Sequence, residues 1–256
     1  IDHVWRMRGK GIGAGEPAIA WHELIEFKRT FTEPVPAMME HSFSKSGIDS
    51  YHGRARFRGP GTVEVGGEQL EGRYILIAAG AVPMPLGIPG EELYVTSTEF
   101  LELEQLPKKI LLLGGGFIAA EFAHIATRAG AQVTVLEQAE RMLMPFDPDL
   151  VGWLMEKFGE IGVDVRLDTR VTAIQKDGAG LTVHAFSNGK DEIFKVDLVV
   201  HAAGRVPDLE PLDLAAGHVE RVNVRRKLNE FLQSVSTPAV YAVGDAALSG
   251  APVTPV

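Results

Sequence analysis

Apolar residues in this chain fall in short blocks bounded by glycine or charged positions, and helical patterns separate several of them. Lys109–Leu113, Gln132–Leu136, Asp164–Leu167 and Asp197–His201 read as strands, while Phe117–Ala129 and Asp147–Ile161 carry helical spacing. Strand, helix, strand, helix, strand predicts a parallel sheet with right-handed crossovers. Thr169–Gln175, Leu181–Phe186 and Asp191–Val196 alternate instead. They predict a three-strand antiparallel excursion with turns at Asp177-Gly178 and Asn188-Gly189.

Residues 1–50 have an irregular helical pattern. The run Gly9-Lys-Gly-Ile-Gly-Ala-Gly-Glu-Pro17 lacks a preceding buried strand and a Gly-Lys-Ser/Thr ending, so it reads as a plain loop before a helix over Ala18–Lys45. Short strands follow at Asp49–Phe57, Thr62–Val65 and Gln69–Glu71, then an apolar strand, Tyr74–Ala78, that stops at Ala79-Gly80. Pro83, Pro85, Pro89 and Gly90 exclude a helix and mark a domain boundary. A last apolar strand, Ala239–Val243, ends at Gly244-Asp245. The expected domains are 1–90, 91–207 and 208–256.

The strongest chemical signal sits where the strand Lys109–Leu113 runs into Gly114-Gly-Gly-Phe-Ile-Ala-Ala-Glu121. Gly114, Gly116 and Ala119 form G-x-G-x-x-A between a strand and a helix. Gly114 permits the turn, Gly116 lets backbone approach a pyrophosphate, and Ala119 lets helix and strand pack. The helix start offers free N–H groups to the anion. Glu137 ends the next strand, about twenty residues on, where an acid binds ribose hydroxyls. This pattern predicts a dinucleotide site. The alternative is a glycine turn that serves packing alone.

A length of 256 residues, 45% hydrophobic and 23% charged, allows more than one domain with a substantial core. A net charge of -9 argues against a nucleic-acid surface, and the cluster Arg221, Arg225, Arg226, Lys227 reads as a solvated face. No apolar run approaches the roughly 20 residues that span a bilayer, and the N-terminus lacks a signal-peptide profile, so the expected location is cytoplasmic. Cysteine is absent, which removes disulfides and thiolate metal sites from these residues.

Three strand ends, Ala78-Ala-Gly80, Ala202-Ala-Gly-Arg-Val-Pro207 and Tyr241-Ala-Val-Gly-Asp245, join the glycine turn in an order that resembles the flavin-dependent pyridine nucleotide-disulfide oxidoreductases. The glutathione reductase-like branch is especially similar, through Leu106-Pro107, Gly114–Glu121 and Thr254-Pro-Val256. The resemblance implies an α/β fold: a Rossmann-like NAD(P) domain inserted in part of a second, FAD-binding α/β domain. It also implies a first FAD-binding turn and a Cys-x-x-x-x-Cys pair upstream, and a dimerisation domain with a His-Glu pair downstream. These residues contain neither. The expectation is a fragment, or the ordered part, of a larger homodimeric enzyme.

The resemblance assigns roles by position. Asp245 accepts hydrogen bonds from the ribityl hydroxyls of FAD; its alternative is a helix N-cap. Thr254 opens a helix directed at the isoalloxazine ring, Ala79 and Gly80 pass close to the flavin nucleotide, and Ala55 touches adenine or serves strand packing. Phe117 covers the flavin until nicotinamide displaces it, or is a core aromatic. Glu121 orients the nicotinamide amide, or is a half-buried helix acid. Ile118 lies beside the NAD(P) turn, Gly204 flanks the nicotinamide, Arg205 contacts cofactor or bridges domains, and Val171 lines the adenine side.

Relatives that prefer NADPH place two arginines after the second strand, where this chain has Gln138 and Met144. Glu137 adds a repelling carboxylate, worth about 4 kcal/mol against a charge 4 Å away at an effective dielectric near 20. NADH is therefore expected over NADPH, with Arg141 as the cation that could still reach a phosphate. The expected reaction passes hydride from NAD(P)H to FAD and on to a small-molecule disulfide; glutathione, lipoamide and mercuric ion remain open as acceptors. The alternatives are a non-redox NADH-binding module and a cysteine-independent NADH:flavin oxidase.

Overall fold

The computed structural model describes residues 2–7, 9–11, 18–222, 225–226 and 228–247. In chain order the helices are α1 (Asp2–Arg6), α2 (Trp21–Thr32), α3 (Val35–Lys45), α4 (Ser97–Phe100), α5 (Phe117–Arg128) and α6 (Pro148–Ile161). The strands are β1 (Ala55–Gly59), β2 (Thr62–Val65), β3 (Glu68–Glu71), β4 (Ile75–Ile77), β5 (Ala81–Pro83), β6 (Lys109–Leu113), β7 (Gln132–Leu136) and β8 (Asp164–Arg166). They continue as β9 (Thr169–Asp177), β10 (Gly180–Ser187), β11 (Lys190–Val196), β12 (Leu198–His201), β13 (Arg205–Pro207), β14 (Arg221–Val222), β15 (Arg225–Arg226) and β16 (Val240–Ala242).

The chain divides into two units, the first from residues 1–34 and 85–204, the second from 35–84 and 205–256. In the first, a parallel sheet has the order β12-β6-β7-β8. Its central strand is apolar on both faces because both are covered. Ile110 and Leu112 meet α5 and α6 through Ala119, Phe122, Ala126 and Phe158. Leu111 and Leu113 face the other way, onto Ile174, Val183 and Ala185 of the antiparallel sheet β11-β10-β9. The β10–β11 hairpin closes through Asn188 and Gly189, at φ 50° and 78°, the two positive φ angles that an Asn-Gly turn supplies. Asp147 caps α6 by accepting the N–H of Asp149 at 2.9 Å.

The segment expected as one helix is two. α2 ends at Thr32 and α3 begins at Val35, on either side of Glu33-Pro34. A proline removes a backbone donor and restricts its predecessor, so continuous hydrogen bonding fails there. The two helices also belong to different units. Trp21 of α2 is buried in the first, edge-on to Phe100 with ring centroids 5.8 Å apart, and its Nε1 donates to Leu103 O at 2.7 Å.

In the second unit, β1-β2-β3 form an antiparallel sheet. β1 starts at Ala55, paired with Val65, rather than at Asp49. β4 and β16 pair in parallel with Val240 opposite Ile75. β5 pairs antiparallel with β13, Arg205 opposite Pro83, so the proline-rich exit strand and the returning strand lie side by side. Phe57, Ile77, Leu214 and Ala242 form the core of this unit.

Candidate functional site

In the first unit the candidate residues gather at the carboxyl ends of parallel strands, where open α/β sheets bind ligands. Gly114 leaves β6 with φ 99°, and its N–H donates to Leu136 O at 2.8 Å. A Cβ there would lie 2.5 Å from Ala203 Cα and 2.6 Å from Ala202 O. Backbone conformation and space therefore both demand glycine. Gly116 precedes α5 in an extended conformation, with no side-chain cap on the helix. A Cβ on Gly116 would meet only Ala202 O, at 3.7 Å, which leaves this backbone open to a ligand. Ala119 is fully buried one turn on, where helix and sheet close together.

Glu137 follows β7 half-buried. One carboxylate oxygen accepts the N–H of Gly115, and the other accepts that of Ala139 at 2.7 Å. Leu143 N donates to Gly115 O at 2.8 Å, so the Gly115 backbone is held at both polar groups. A Cβ on Gly115 would lie 2.8 Å from Glu137 Oε2 and 2.9 Å from Met142 Cγ. The G-x-G-x-x-A pattern gives roles to Gly114 and Gly116 and none to this middle glycine. Its signal was a third small residue in the turn, with an acid 22 residues later.

Phe117 is half-buried at the start of α5 and stands apart from the aromatic core, where Phe122 stacks on Phe100 at 4.3 Å. Glu121, one turn later, is exposed rather than half-buried. Ile118 packs against the helical core. Gly204 lies beyond the β12 end with φ 117°, two residues after the Ala202 that a Cβ on Gly114 would strike. Val171 lies on β9 opposite Ala185, two residues beyond Thr169, whose N–H donates to Glu137 O at 2.9 Å. Arg141 spends its guanidinium on backbone carbonyls, those of Met144 at 2.9 Å and Phe146 at 3.1 Å.

In the second unit, β4 and β16 end together: Val243 N donates to Ile77 O at 3.1 Å, which brings Ala78–Gly80 alongside Gly244-Asp245. Gly80 has φ 68° with open space in its Cβ direction, and its carbonyl accepts Asp208 N at 3.1 Å. Ala79 is exposed. Asp245 is half-buried within the short 3-10 turn Gly244–Ala246, and the segment after it, which the N-cap alternative concerns, lies outside the described residues. Ala55 stands elsewhere, at the start of the β1–β2 pair. Arg205 donates to Ala81 O and ties β13 to β5 within one unit. Thr254 lies outside the described residues. Among the described residues no helix is long and apolar enough to cross a membrane, and no group of acidic and histidine side chains could hold a metal ion.

A glycine turn and acid at one parallel sheet, and a second pair of parallel strands ending in glycine and aspartate, define an α/β protein of Rossmann-like type. The chain belongs to the pyridine nucleotide-disulphide oxidoreductase family, whose profile matches residues 17–255. It is 31% identical over 242 residues to a glutathione reductase of Burkholderia cepacia, covering 93% of this chain and 52% of the relative. It is 34% identical over 257 residues to a dihydrolipoyl dehydrogenase of Thermus scotoductus (96% and 54%), and 32% over 205 to a mercuric reductase of Staphylococcus aureus (79% and 37%). The solved structure of the HOCl-induced flavoprotein disulfide reductase RclA from Escherichia coli matches with a TM-score of 0.80 at 26% identity, over 88% of this chain and 52% of RclA. The chain thus spans about half the length, or less, of these relatives.

Proposed function

We propose that this chain supplies the nucleotide-holding framework of a flavoprotein that oxidises NADH and delivers the electrons to a small-molecule disulfide. FAD, when bound, provides the two-electron relay between nicotinamide and disulfide, a chemistry that no side chain supplies. In balance, NADH, a proton and a disulfide yield NAD⁺ and two thiols. The observation that carries the nucleotide assignment is the Glu137 carboxylate held by the Gly115 and Ala139 N–H groups. Fixed there, it accepts ribose hydroxyls and repels a 2'-phosphate.

The open backbone at Gly116 and the uncapped start of α5 fit a pyrophosphate. Phe117, outside the aromatic core, covers the reacting ring, and Glu121 orients the nicotinamide amide. Gly204 and Val171 flank the nicotinamide and adenine ends. For FAD, Gly80, open in its Cβ direction, and the half-buried Asp245 are the fitting residues, with Asp245 accepting ribityl hydroxyls, Ala79 beside them and Ala55, apart from these, at the adenine end. Similar identities to relatives named for glutathione, lipoyl and mercuric chemistry leave the acceptor to residues outside this framework. The family resemblance supports a homodimer in the cytoplasm.

A second reading, an NADH:flavin oxidase that needs no dithiol, is compatible with residues that contain no cysteine. The purified protein's visible spectrum, recorded anaerobically before and after NADH, tests the first. A flavin band that bleaches and returns on adding a disulfide supports it. A bleached band restored by oxygen and by no disulfide supports the oxidase, and a colourless protein contradicts both.

A further inference from the structure

We propose that Arg141 is a positioning residue for nucleotide selection: it folds the loop after β7 so that the loop clamps Gly115 beside Glu137. The inference rests on the reading of Glu137 as the ribose ligand.

Residues 138–147 contain no regular helix or strand, so their conformation depends on a few specific contacts. Met142 anchors the middle of the loop, fully buried in the core between sheet and helices. Leu143 then adopts φ 52°, a left-handed conformation unfavourable for any residue with a Cβ. That conformation accompanies its N–H on Gly115 O at 2.8 Å, while Leu143 O accepts Phe146 N at 2.8 Å. Arg141 closes the arrangement from outside, bridging Met144 O and Phe146 O. One planar guanidinium holds two carbonyls of a strained turn, a geometry that a lysine ammonium cannot reproduce.

On the opposite side of the clamp, Gly115 N–H goes to Glu137 and Ala139 N–H goes to the other carboxylate oxygen. Ala139 O accepts Asp168 N at 3.1 Å, which fastens the loop to the start of β9. Arg141, Leu143, Gly115 and Glu137 are thereby linked through consecutive hydrogen bonds and a short stretch of chain. Two roles for Arg141 make opposite predictions. A phosphate ligand would favour NADPH, and its loss would raise the preference for NADH. A positioning residue sustains Glu137, and its loss would lower that preference.

The test measures NADH and NADPH dissociation constants by fluorescence for the unaltered protein and for Arg141→Ala, Arg141→Lys, Glu137→Ala and the double variant Glu137→Ala/Arg141→Ala. Arg141→Ala is expected to weaken NADH about tenfold, the size of one lost hydrogen bond to a charged group, with NADPH nearly unchanged. Arg141→Lys should fall between, and it carries the test if the alanine variant does not fold. In the double variant, losing Arg141 should add nothing to the preference already lost with Glu137. A selective loss of NADPH binding, additive effects in the double variant, or unchanged constants for Arg141→Ala would overturn the proposal. An unchanged preference in Glu137→Ala alone would instead remove the ribose reading itself, and the proposal with it.

Discussion

Glu137 accepts the backbone N–H of Gly115, a residue 22 positions earlier, and so joins the end of one parallel strand to the turn that leaves its neighbour. The acid and the turn are parts of one hydrogen-bonded unit. Mutations in either should therefore be read by their effect on both nucleotide choice and stability.

Gly114→Ala should destabilise the first unit. The added Cβ meets Ala203 Cα at 2.5 Å and Ala202 O at 2.6 Å, on a backbone with φ 99°. Strain and overpacking together predict a loss on the order of 3 kcal/mol. Gly116→Ala has only a 3.7 Å neighbour and should melt near the unaltered protein while losing affinity for both nucleotides. Thermal unfolding beside NADH titration checks the contrast.

Phe117 and Phe122 share a helix and should behave differently. Phe122, 6% exposed and stacked on Phe100, should cost about 3–5 kcal/mol when cut to alanine. Phe117 lies outside that cluster, so Phe117→Ala should cost about 1 kcal/mol or less. Its effect should appear in the rate of flavin reduction by NADH. Equal stability losses for the two would make Phe117 a core residue after all.

The second unit holds a pH-dependent pair of contacts. Arg58 Nε donates to Glu64 at 2.8 Å and Arg56 Nε at 2.9 Å, and these bonds, Arg58's first, lower the Glu64 carboxyl from 4.5 to about 2. The folded state thus binds this proton more weakly than the unfolded chain. The contribution is complete above pH 4.5, shrinks as pH falls towards 2, and is lost below it. Denaturant midpoints of the unaltered protein and Glu64→Gln should differ by a constant amount above pH 5 and converge between pH 4.5 and 2. A constant difference throughout that range would contradict the assignment.

Asp245→Ala should reduce flavin content, read as the ratio of visible to protein absorbance. Unchanged flavin content would remove Asp245 from the site.

Much of the architecture is legible in the sequence because the signals are local. β2, β6 and β7 fall at the expected residues, and α5 ends one residue early. The apolar blocks, the Asn-Gly turn and the G-x-G-x-x-A spacing each depend on near neighbours. The break at Glu33-Pro34 was marked by its proline, but the apolar spacing across it imitated a continuous helix. The pairing of β5 with β13 was hidden because its partners are more than a hundred residues apart, and Pro83 signalled only what the segment could not be. The Gly115 clamp was likewise hidden. Neither a bare backbone N–H nor the two carbonyls held by Arg141 have a sequence signature, so charge alone leaves that arginine as a cation that could reach a phosphate.

The most direct test is a paired titration of NADH and NADPH with the unaltered protein and with Glu137→Ala. The account predicts that the unaltered protein prefers NADH, and that removing the carboxylate weakens NADH by about tenfold or more and collapses the preference. A preference for NADPH in the unaltered protein, or a ratio that Glu137→Ala leaves unchanged, would contradict it.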